Sequence, residues 1–161
     1  MIKRMKVYLL ACVLILSSTI SYAHVVEIEG RPCLTPKNDI FYICEDFIAF
    51  IDSGLICIPE GFKTDLASVP FFLRWKFDRF KTSTISPAII HDYMYRCVDY
   101  SRKYADEVFY DALINEGVSH YTASLYYYAV RAFGGFSYHK KECLTDERLC
   151  KFAGMGEIPQ F

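Results

Sequence analysis

The hydrophobic pattern changes near the middle of the chain, and this change constrains the fold more than any other feature. Before residue 60, apolar residues lie in short runs rich in aromatic and β-branched side chains, which are typical of strands. After residue 85, longer segments carry the capping residues and exit glycines of helices. Strands followed by helices, in a chain of 161 residues, predict a single α+β domain.

The first half of the chain predicts a small antiparallel sheet. The predicted strands are His24–Glu29, Phe41–Cys44, Phe47–Ile51 and Leu55–Ile58. The Asp-Ser-Gly sequence at residues 52–54 supplies turn chemistry, so the last two strands are predicted to form a hairpin. Residues 61–70 have no clear period and predict an ordered loop, and residues 71–80 predict a short helix or turn.

The second half predicts an antiparallel helical hairpin and a third helix. The predicted helices run from Pro87 to about Cys97, from about Arg102 to Asn115, and from about Tyr121 to Phe133. Ser86 stands before a proline, which is a favourable start for the first helix. Ser101 can cap the second helix, and Gly134-Gly135 is a typical exit from the third.

The amino-terminal residues 1–23 have the composition of a secretory signal peptide. A basic start precedes the apolar run Val7–Leu16, and the small residues Ser21 and Ala23 are typical of a cleavage site. The apolar run is shorter than the about 20 residues that cross a membrane. We predict cleavage after Ala23 and a periplasmic or secreted domain over residues 24–161. Lipidation at Cys12 and a retained amino-terminal membrane anchor are the alternatives.

Six of the seven cysteines follow the predicted cleavage site. An even number of cysteines in an exported chain favours disulfides, because oxidising compartments let them persist. The short separation of Cys143 and Cys150 favours a pair within the polar tail, residues 139–161. Free buried thiols are the alternative, and no Cys-x-x-Cys spacing indicates a zinc site.

The net charge of the chain argues against one class of partner. The formal charge is −1, and no run rich in lysine and arginine indicates a basic groove. Proteins that bind nucleic acid need such a groove to neutralise phosphates. We therefore expect no nucleic-acid partner, while the oligomeric state stays open.

The candidate chemistry lies on the predicted helical hairpin. With a turn near residue 99, His91 on the first helix and Asp106 on the second lie at the same height. An aspartate that accepts a hydrogen bond from one imidazole nitrogen fixes the tautomer and leaves the other nitrogen as a base. Asp92 points about 100° away from His91 around the helix and could bind a hard cation or support the neighbouring loop. A satisfied polar pair in the core, with no catalytic role, is the alternative.

The predicted loop could add polar groups to this site. Asp65 is the candidate for a second cation ligand, and the hydroxyl groups of Thr64 and Ser68 could donate hydrogen bonds. A calcium site needs several converging oxygens, so one carboxylate does not suffice. The alternative is an ordinary turn, in which Asp and Ser side chains bind nearby backbone groups.

Several segments of the chain resemble one known family. Residues 58–70 (Ile-Pro-Glu-Gly-Phe-Lys-Thr-Asp-Leu-Ala-Ser-Val-Pro), residues 87–96 (Pro-Ala-Ile-Ile-His-Asp-Tyr-Met-Tyr-Arg) and residues 101–106 (Ser-Arg-Lys-Tyr-Ala-Asp) resemble the phage and bacterial domain-of-unknown-function 1353 family. The resemblance continues through residues 129–135 and covers about residues 40–138. It implies a phage, prophage or bacterial origin and brings no established activity.

A second, local resemblance concerns the hairpin. His91-Asp92-x-x-Tyr95, followed by Asp106 on an antiparallel helix, resembles the active site of secreted phospholipase A2. The resemblance implies that His91 activates water, that Asp92 binds calcium, and that Tyr95 and Asp106 support His91. The glycine-rich calcium loop of those enzymes has no counterpart before Pro87, which leaves the oxyanion stabiliser and most metal ligands unassigned.

Two functions stay open at this point. One is an exported hydrolase that acts on phospholipid or another envelope ester, with calcium as the implied cofactor. The other is a non-catalytic envelope protein that binds a membrane or cell-wall component or excludes a competing phage.

Overall fold

A computed structural model describes residues 23–38, 40–52, 54–66 and 82–138. The strands are β1 (Val26–Ile28), β2 (Leu34–Lys37), β3 (Ile40–Ile43), β4 (Phe47–Ile51), β5 (Gly54–Ile58) and β6 (Lys63–Thr64). The helices are α1 (Thr82–Arg96), α2 (Arg102–Asn115) and α3 (His120–Phe133), and a 3-10 turn, Gly134–Phe136, follows α3. Strands precede helices, so the predicted α+β class is confirmed.

The strands form two small antiparallel sheets where the sequence predicted one. One sheet has the order β1-β4-β5 and the other has the order β2-β3-β6. The sequence analysis missed β2, which is short and contains Pro36, a residue that only an edge strand tolerates. It also placed β6 in a loop, because two residues are too few to show a period. The predicted hairpin is confirmed as β4 and β5.

Buried apolar residues alternate with more exposed ones along the β4–β5 hairpin, and the buried residues form the apolar face of the first sheet. Phe47, Ala49 and Ile51 of β4 are buried, and the intervening Phe50 is exposed. Ile56 and Ile58 of β5 are buried on the same face. This face packs against apolar side chains of the helices, namely Ile89, Ile90, Met94, Ala105, Val108 and Ala112.

Helix α2 lies at the centre of the helical part. It packs against α1, α3 and β1. Its opposite face contributes to a second apolar cluster, which consists of Phe109, Leu113, Val118, Ala123, Tyr126 and Val130. A side chain on α2 can therefore contact both neighbouring helices at once, and Asp106 does so.

The helix boundaries follow capping chemistry in two helices and depart from prediction in the first. Ser101 accepts a hydrogen bond from the Tyr104 N–H at 3.2 Å, as predicted for the cap of α2. Helix α1 begins at Thr82, about one turn before the predicted start, and Pro87 lies inside it. The proline removes one backbone hydrogen bond near the amino end, where few helical bonds precede it. Burial of Thr84, which lies before the proline, accompanies the extra turn.

The described cysteines are oxidised. Cys33 and Cys44 form a disulfide that joins the segments flanking β2 and β3, and Cys57 and Cys97 are also disulfide-bonded. The alternative of free thiols is therefore wrong for these four residues. The predicted pair of Cys143 and Cys150 lies outside the described residues.

The described residues contain no helix that is long and apolar enough to span a membrane. The predicted signal peptide lies outside the described residues except for Ala23, which is exposed. The short helix or turn predicted at residues 71–80 also lies outside them.

The segment that follows β6 has an unusual backbone. Leu66 has φ of +52°, in the left-handed region, although its side chain is buried with 2% exposed. A hydrogen bond from its N–H to the Thr64 Oγ1, at 3.0 Å, holds this geometry. The left-handed region costs a non-glycine residue roughly 1 to 2 kcal/mol. Packing of the leucine side chain offsets this cost.

We predict that Leu66→Gly is more stable than Leu66→Ala by about 1 kcal/mol, because both lose the side chain but only glycine relieves the backbone. At the exposed strand position Leu55, the order of the same two substitutions should reverse. Urea denaturation of the four variants measures this, and an alanine that is the more stable replacement at both positions would contradict the assignment.

Candidate functional site

The structure brings His91, Tyr95 and Asp106 together where α1 faces α2. The Nε2 atom of His91 lies 2.8 Å from the Oδ1 atom of Asp106. The hydroxyl group of Tyr95, one helical turn after His91, donates a hydrogen bond to the same oxygen. The predicted juxtaposition across the hairpin is thus present in the structure, with Nε2 as the bonded nitrogen.

Two arginines complete the surroundings of the Asp106 carboxylate. Arg131 of α3 donates from Nη1 to Oδ2 at 2.8 Å, and Arg102 Nε lies 3.9 Å from Oδ2. Arg102 also donates to the carbonyl oxygens of Val130 and Arg131 at the end of α3. Asp106 therefore connects all three helices through hydrogen bonds and charge.

These contacts determine the ionisation of Asp106 and the tautomer of His91. Burial alone would raise the pKa of Asp106, but hydrogen bonds from His91, Tyr95 and Arg131 lower it below the ordinary value. An ionised carboxylate accepts hydrogen bonds and cannot donate them. The proton of neutral His91 therefore lies on Nε2, and Nδ1 carries the lone pair.

The Nδ1 atom of His91 is the chemically notable atom of the site. It is buried and has no hydrogen-bond partner in the part of the chain that the structure describes. The ring packs between Tyr95 and Phe109, with ring centroids 4.1 Å and 4.7 Å away. Only 2% of His91 is exposed, and Asp106 is fully buried. Buried polar atoms normally have partners, so a bare imidazole nitrogen requires an explanation.

Asp92 lies beside this group but has a different set of neighbours. The Thr64 hydroxyl group donates to Asp92 Oδ2 at 2.5 Å, and the Arg96 Nη2 atom lies 3.9 Å from the same oxygen. Burial raises the pKa of Asp92, and nearby Asp65 raises it further, whereas Arg96 and Thr64 lower it. Arg96 also covers the ring of Phe62 at 4.7 Å. Asp92 thus joins α1 to β6.

The predicted metal ligands stay a prediction. Among the described residues, no group of three or more His, Cys, Asp or Glu side chains could hold a metal ion. Asp65 is close enough to Asp92 to influence its pKa, while Ser68 lies outside the described residues. The Thr64 hydroxyl group donates a hydrogen bond, as expected, and its acceptor is Asp92.

Sequence reasoning missed Arg102, Arg131 and Gly134 as parts of this site. A signal for Arg102 was present, because it precedes Asp106 by four residues on a predicted helix and can pair with it. Gly134 has no comparable signal. A Cβ atom at this position would lie 2.9 Å from the Tyr95 Oη atom, so the glycine permits close packing of the phenol.

Comparison with known families identifies the chain. The family described as "Protein of unknown function (DUF1353)" matches residues 41–130, more than half of the sequence. The chain belongs to the DUF1353 family. The match includes β4, β5, α1, α2 and most of α3 but stops before Arg131, and it confirms the predicted family.

No curated protein and no solved structure matches the chain. The comparisons therefore give no support to the phospholipase A2 resemblance, and membership of DUF1353 assigns no activity. Any functional conclusion has to rest on the geometry around His91.

We predict that Asp106→Asn lowers the free energy of unfolding at pH 7 by about 3 to 5 kcal/mol. His91, Tyr95 and Arg131 all donate hydrogen bonds to residue 106, and the NH2 group of an asparagine would have to face one of these donors, where no hydrogen bond can form. A group with a lowered folded-state pKa contributes stability above its unfolded pKa and loses it as the pH falls through the folded value. The difference from the unsubstituted protein should hold near neutrality and shrink below about pH 4.

Denaturant titrations at several pH values measure the Asp106→Asn effect. Asp99→Asn, at an exposed position in the turn between α1 and α2, is the control and should change stability by less than about 0.5 kcal/mol. A loss of stability that does not depend on pH between 3 and 7 would show that folding does not lower the pKa of Asp106, and a loss that shrinks as the pH rises above about 4 would show that the folded protein keeps Asp106 protonated.

We also predict that Gly134→Ala destabilises the protein by about 1 to 3 kcal/mol, because the new methyl group displaces the buried Tyr95 ring. In a Tyr95→Phe background the cost should be smaller, since the atom in closest contact is the phenol oxygen. A double-mutant cycle by thermal or urea unfolding measures the coupling. Additive effects of the two substitutions would contradict the packing argument.

Proposed function

We propose that this DUF1353 protein is a hydrolase in which the Nδ1 atom of His91 acts as the general base. The single observation that supports the proposal is the pairing of a fixed Nε2 atom with a bare Nδ1 atom. Asp106 binds Nε2–H at 2.8 Å, so the free lone pair lies on Nδ1, and no described group occupies it. A water molecule bound at Nδ1 would lose its proton there as it attacks a carbonyl carbon.

Asp106 and Tyr95 are positioning residues in this proposal. The carboxylate fixes which nitrogen carries the proton, and the Tyr95 hydroxyl group fixes the carboxylate. Burial and the hydrogen bond to Asp106 raise the pKa of Tyr95, so the phenol stays protonated and keeps donating. Arg131 keeps Asp106 ionised and compensates its buried charge.

The described conformation is closed around the proposed base. Water or substrate reaches Nδ1 only when part of the cover over His91 moves, because only 2% of the residue is exposed. Exclusion of solvent from a base is itself a common property of hydrolytic sites that open to admit substrate. The proposal therefore includes an opening step before chemistry.

The proposed substrate class follows from the reaction that a histidine base supports. A histidine base and one water molecule suffice to hydrolyse a carboxylic ester without a covalent enzyme intermediate. We propose an ester of the cell envelope and take phospholipid as the first substrate to test. Calcium at Asp92 and Asp65 is tested in the same assay. Thr64 and Arg96 already contact Asp92 Oδ2, so a bound calcium ion would compete with these contacts.

The burial of the pair favours a second candidate function. His91 and Asp106 together form a closed polar network beneath aromatic rings. Such a network also suits a non-catalytic envelope protein in which the pair only holds the helices together. This protein would bind a membrane or cell-wall component through another surface.

We predict that His91→Gln abolishes ester hydrolysis, with a loss of about 100- to 10,000-fold, and largely retains stability. The glutamine NH2 group can replace Nε2 as the donor to Asp106, while the base is removed. Fatty-acid release from phospholipid vesicles, and turnover of a small chromogenic ester, measure the effect with calcium and with a chelator.

His120→Gln is the matched control, because His120 is exposed at the start of α3 and its Nδ1 atom lies 3.0 Å from the Tyr110 hydroxyl group, away from Asp106. It should retain full activity. Equal activity in His91→Gln and the unsubstituted protein would exclude His91 as the base. The absence of turnover of both substrates by folded protein would favour the non-catalytic alternative.

A further inference from the structure

His24, the first residue after the predicted cleavage site, lies in an acidic setting built from two distant parts of the chain. Its backbone N–H donates to Asp111 Oδ2 at 2.8 Å. Its Nδ1 atom contacts Asp52 Oδ2, and its Nε2 atom lies 3.8 Å from Glu107 Oε2. Asp52 lies in the turn between β4 and β5, and Glu107 and Asp111 lie on α2. His24 thus joins the start of the domain to both regions.

The charges that face His24 are mostly negative. Lys103 lies 3.4 Å from Glu107 Oε1, and the ring of Tyr104 lies edge-on to His24 at 4.9 Å. Burial raises the pKa of Asp111, the backbone N–H and the ring charge of His24 lower it, and the carboxylates of Asp52 and Glu107 raise it again. Three carboxylates surround the His24 ring and one lysine, so negative groups outnumber positive ones even when the ring is counted with the lysine. The backbone amide of His24 adds no charge.

The peptide bond between Ala23 and His24 joins an exposed residue to a mostly buried side chain. The side chain of His24 is mostly buried, with 14% exposed, whereas Ala23 is exposed. Ser21 and Ala23 are small residues at the positions that a signal peptidase requires. The disulfide between Cys33 and Cys44 is independently typical of an exported, oxidised domain.

We propose that the peptide bond between Ala23 and His24 is hydrolysed by a signal peptidase and that the released α-ammonium group of His24 is bound by Asp111. Water supplies a hydroxyl group to the carbonyl carbon of Ala23, and the C–N bond to His24 breaks. Ala23 becomes the carboxylate end of the released leader. The nitrogen of His24 gains the proton of that water and, near neutral pH, one more. The neutral N–H donor to Asp111 becomes a cation in the same place.

This inference concerns maturation and is independent of the proposed hydrolase. The new ion pair supplies the positive charge that the cluster lacks and fastens the residues before β1 to α2. Charge-assisted hydrogen bonds are about twice as strong as neutral ones. An α-amine that gains such a partner has a raised pKa, so its contribution is present below about pH 7.7 and is lost as the pH rises through the folded value.

The experiment uses the full chain with its own leader, exported to a bacterial periplasm. The intact mass of the purified protein identifies its first residue. The rate at which an amine-reactive reagent labels the α-amine of His24 at pH 7 is then measured by mass spectrometry of the amino-terminal peptide. The unsubstituted protein is compared with Asp111→Asn, with the charge-retaining Asp111→Glu, and with the exposed control Asp99→Asn.

We expect a mass that begins at His24. Labelling should be about tenfold slower in the unsubstituted protein than in Asp111→Asn, which corresponds to one pKa unit of the amine. Asp111→Glu should restore slow labelling, and Asp99→Asn should not change it. A protein that retains residues before His24, or that begins elsewhere, overturns the proposal. Equal labelling rates in the unsubstituted protein and Asp111→Asn overturn it as well, whatever the hydrolase assays show.

Discussion

A single buried carboxylate holds the helical half of this protein together. Asp106 is fully buried on the central helix α2 and accepts hydrogen bonds from His91, Tyr95 and Arg131. Removing a carboxylate from water costs several kcal/mol unless partners replace its hydration. These partners come from both neighbouring helices, so the arrangement of α1 and α3 around α2 is tied to keeping Asp106 ionised. Arg102 strengthens the same junction by donating to carbonyl oxygens at the end of α3.

The same constraint generates the candidate chemistry. Because Asp106 is an acceptor, His91 has to present Nε2–H to it, and in the neutral ring the lone pair then lies on Nδ1, which is buried. A purely structural network would be more stable with both nitrogens satisfied. The lack of a hydrogen-bond partner for Nδ1 among the described residues is therefore the observation on which the proposal of His91 as a base rests. Because His91 is buried, the residues that cover it have to move before water or substrate can reach the proposed base.

Local pattern predicted most of the fold, because each element has a local cause. The β4–β5 hairpin follows from alternation around a turn, and α2 follows from its Ser101 cap. The pairing of His91 with Asp106 could be predicted because two antiparallel helices have a simple geometry about their turn. Strand β2 could not be predicted, since an edge strand that contains a proline has little of the residue pattern typical of strands.

Long-range features were beyond the sequence for a different reason. Arg131 reaches Asp106 from α3, 25 residues away, and no spacing rule places it there. The disulfide between Cys33 and Cys44 is one of many pairings that six cysteines allow. The contacts of His24 depend on how β1 lies against α2, which only packing determines. In each case the packing of the assembled core determines which residues come into contact.

The protonation of the His91 ring decides whether this histidine can be the base. Nitrogen NMR of protein labelled with ¹⁵N-histidine, with the His91 signals assigned by their absence in His91→Gln, reports the state of each nitrogen. We expect a protonated Nε2 atom, whose hydrogen exchanges slowly with solvent, and an unprotonated Nδ1 atom at pH 7. A proton on Nδ1, with Nε2 bare, would contradict this assignment, because Asp106 would then have to be the donor and His91 could not be the proposed base.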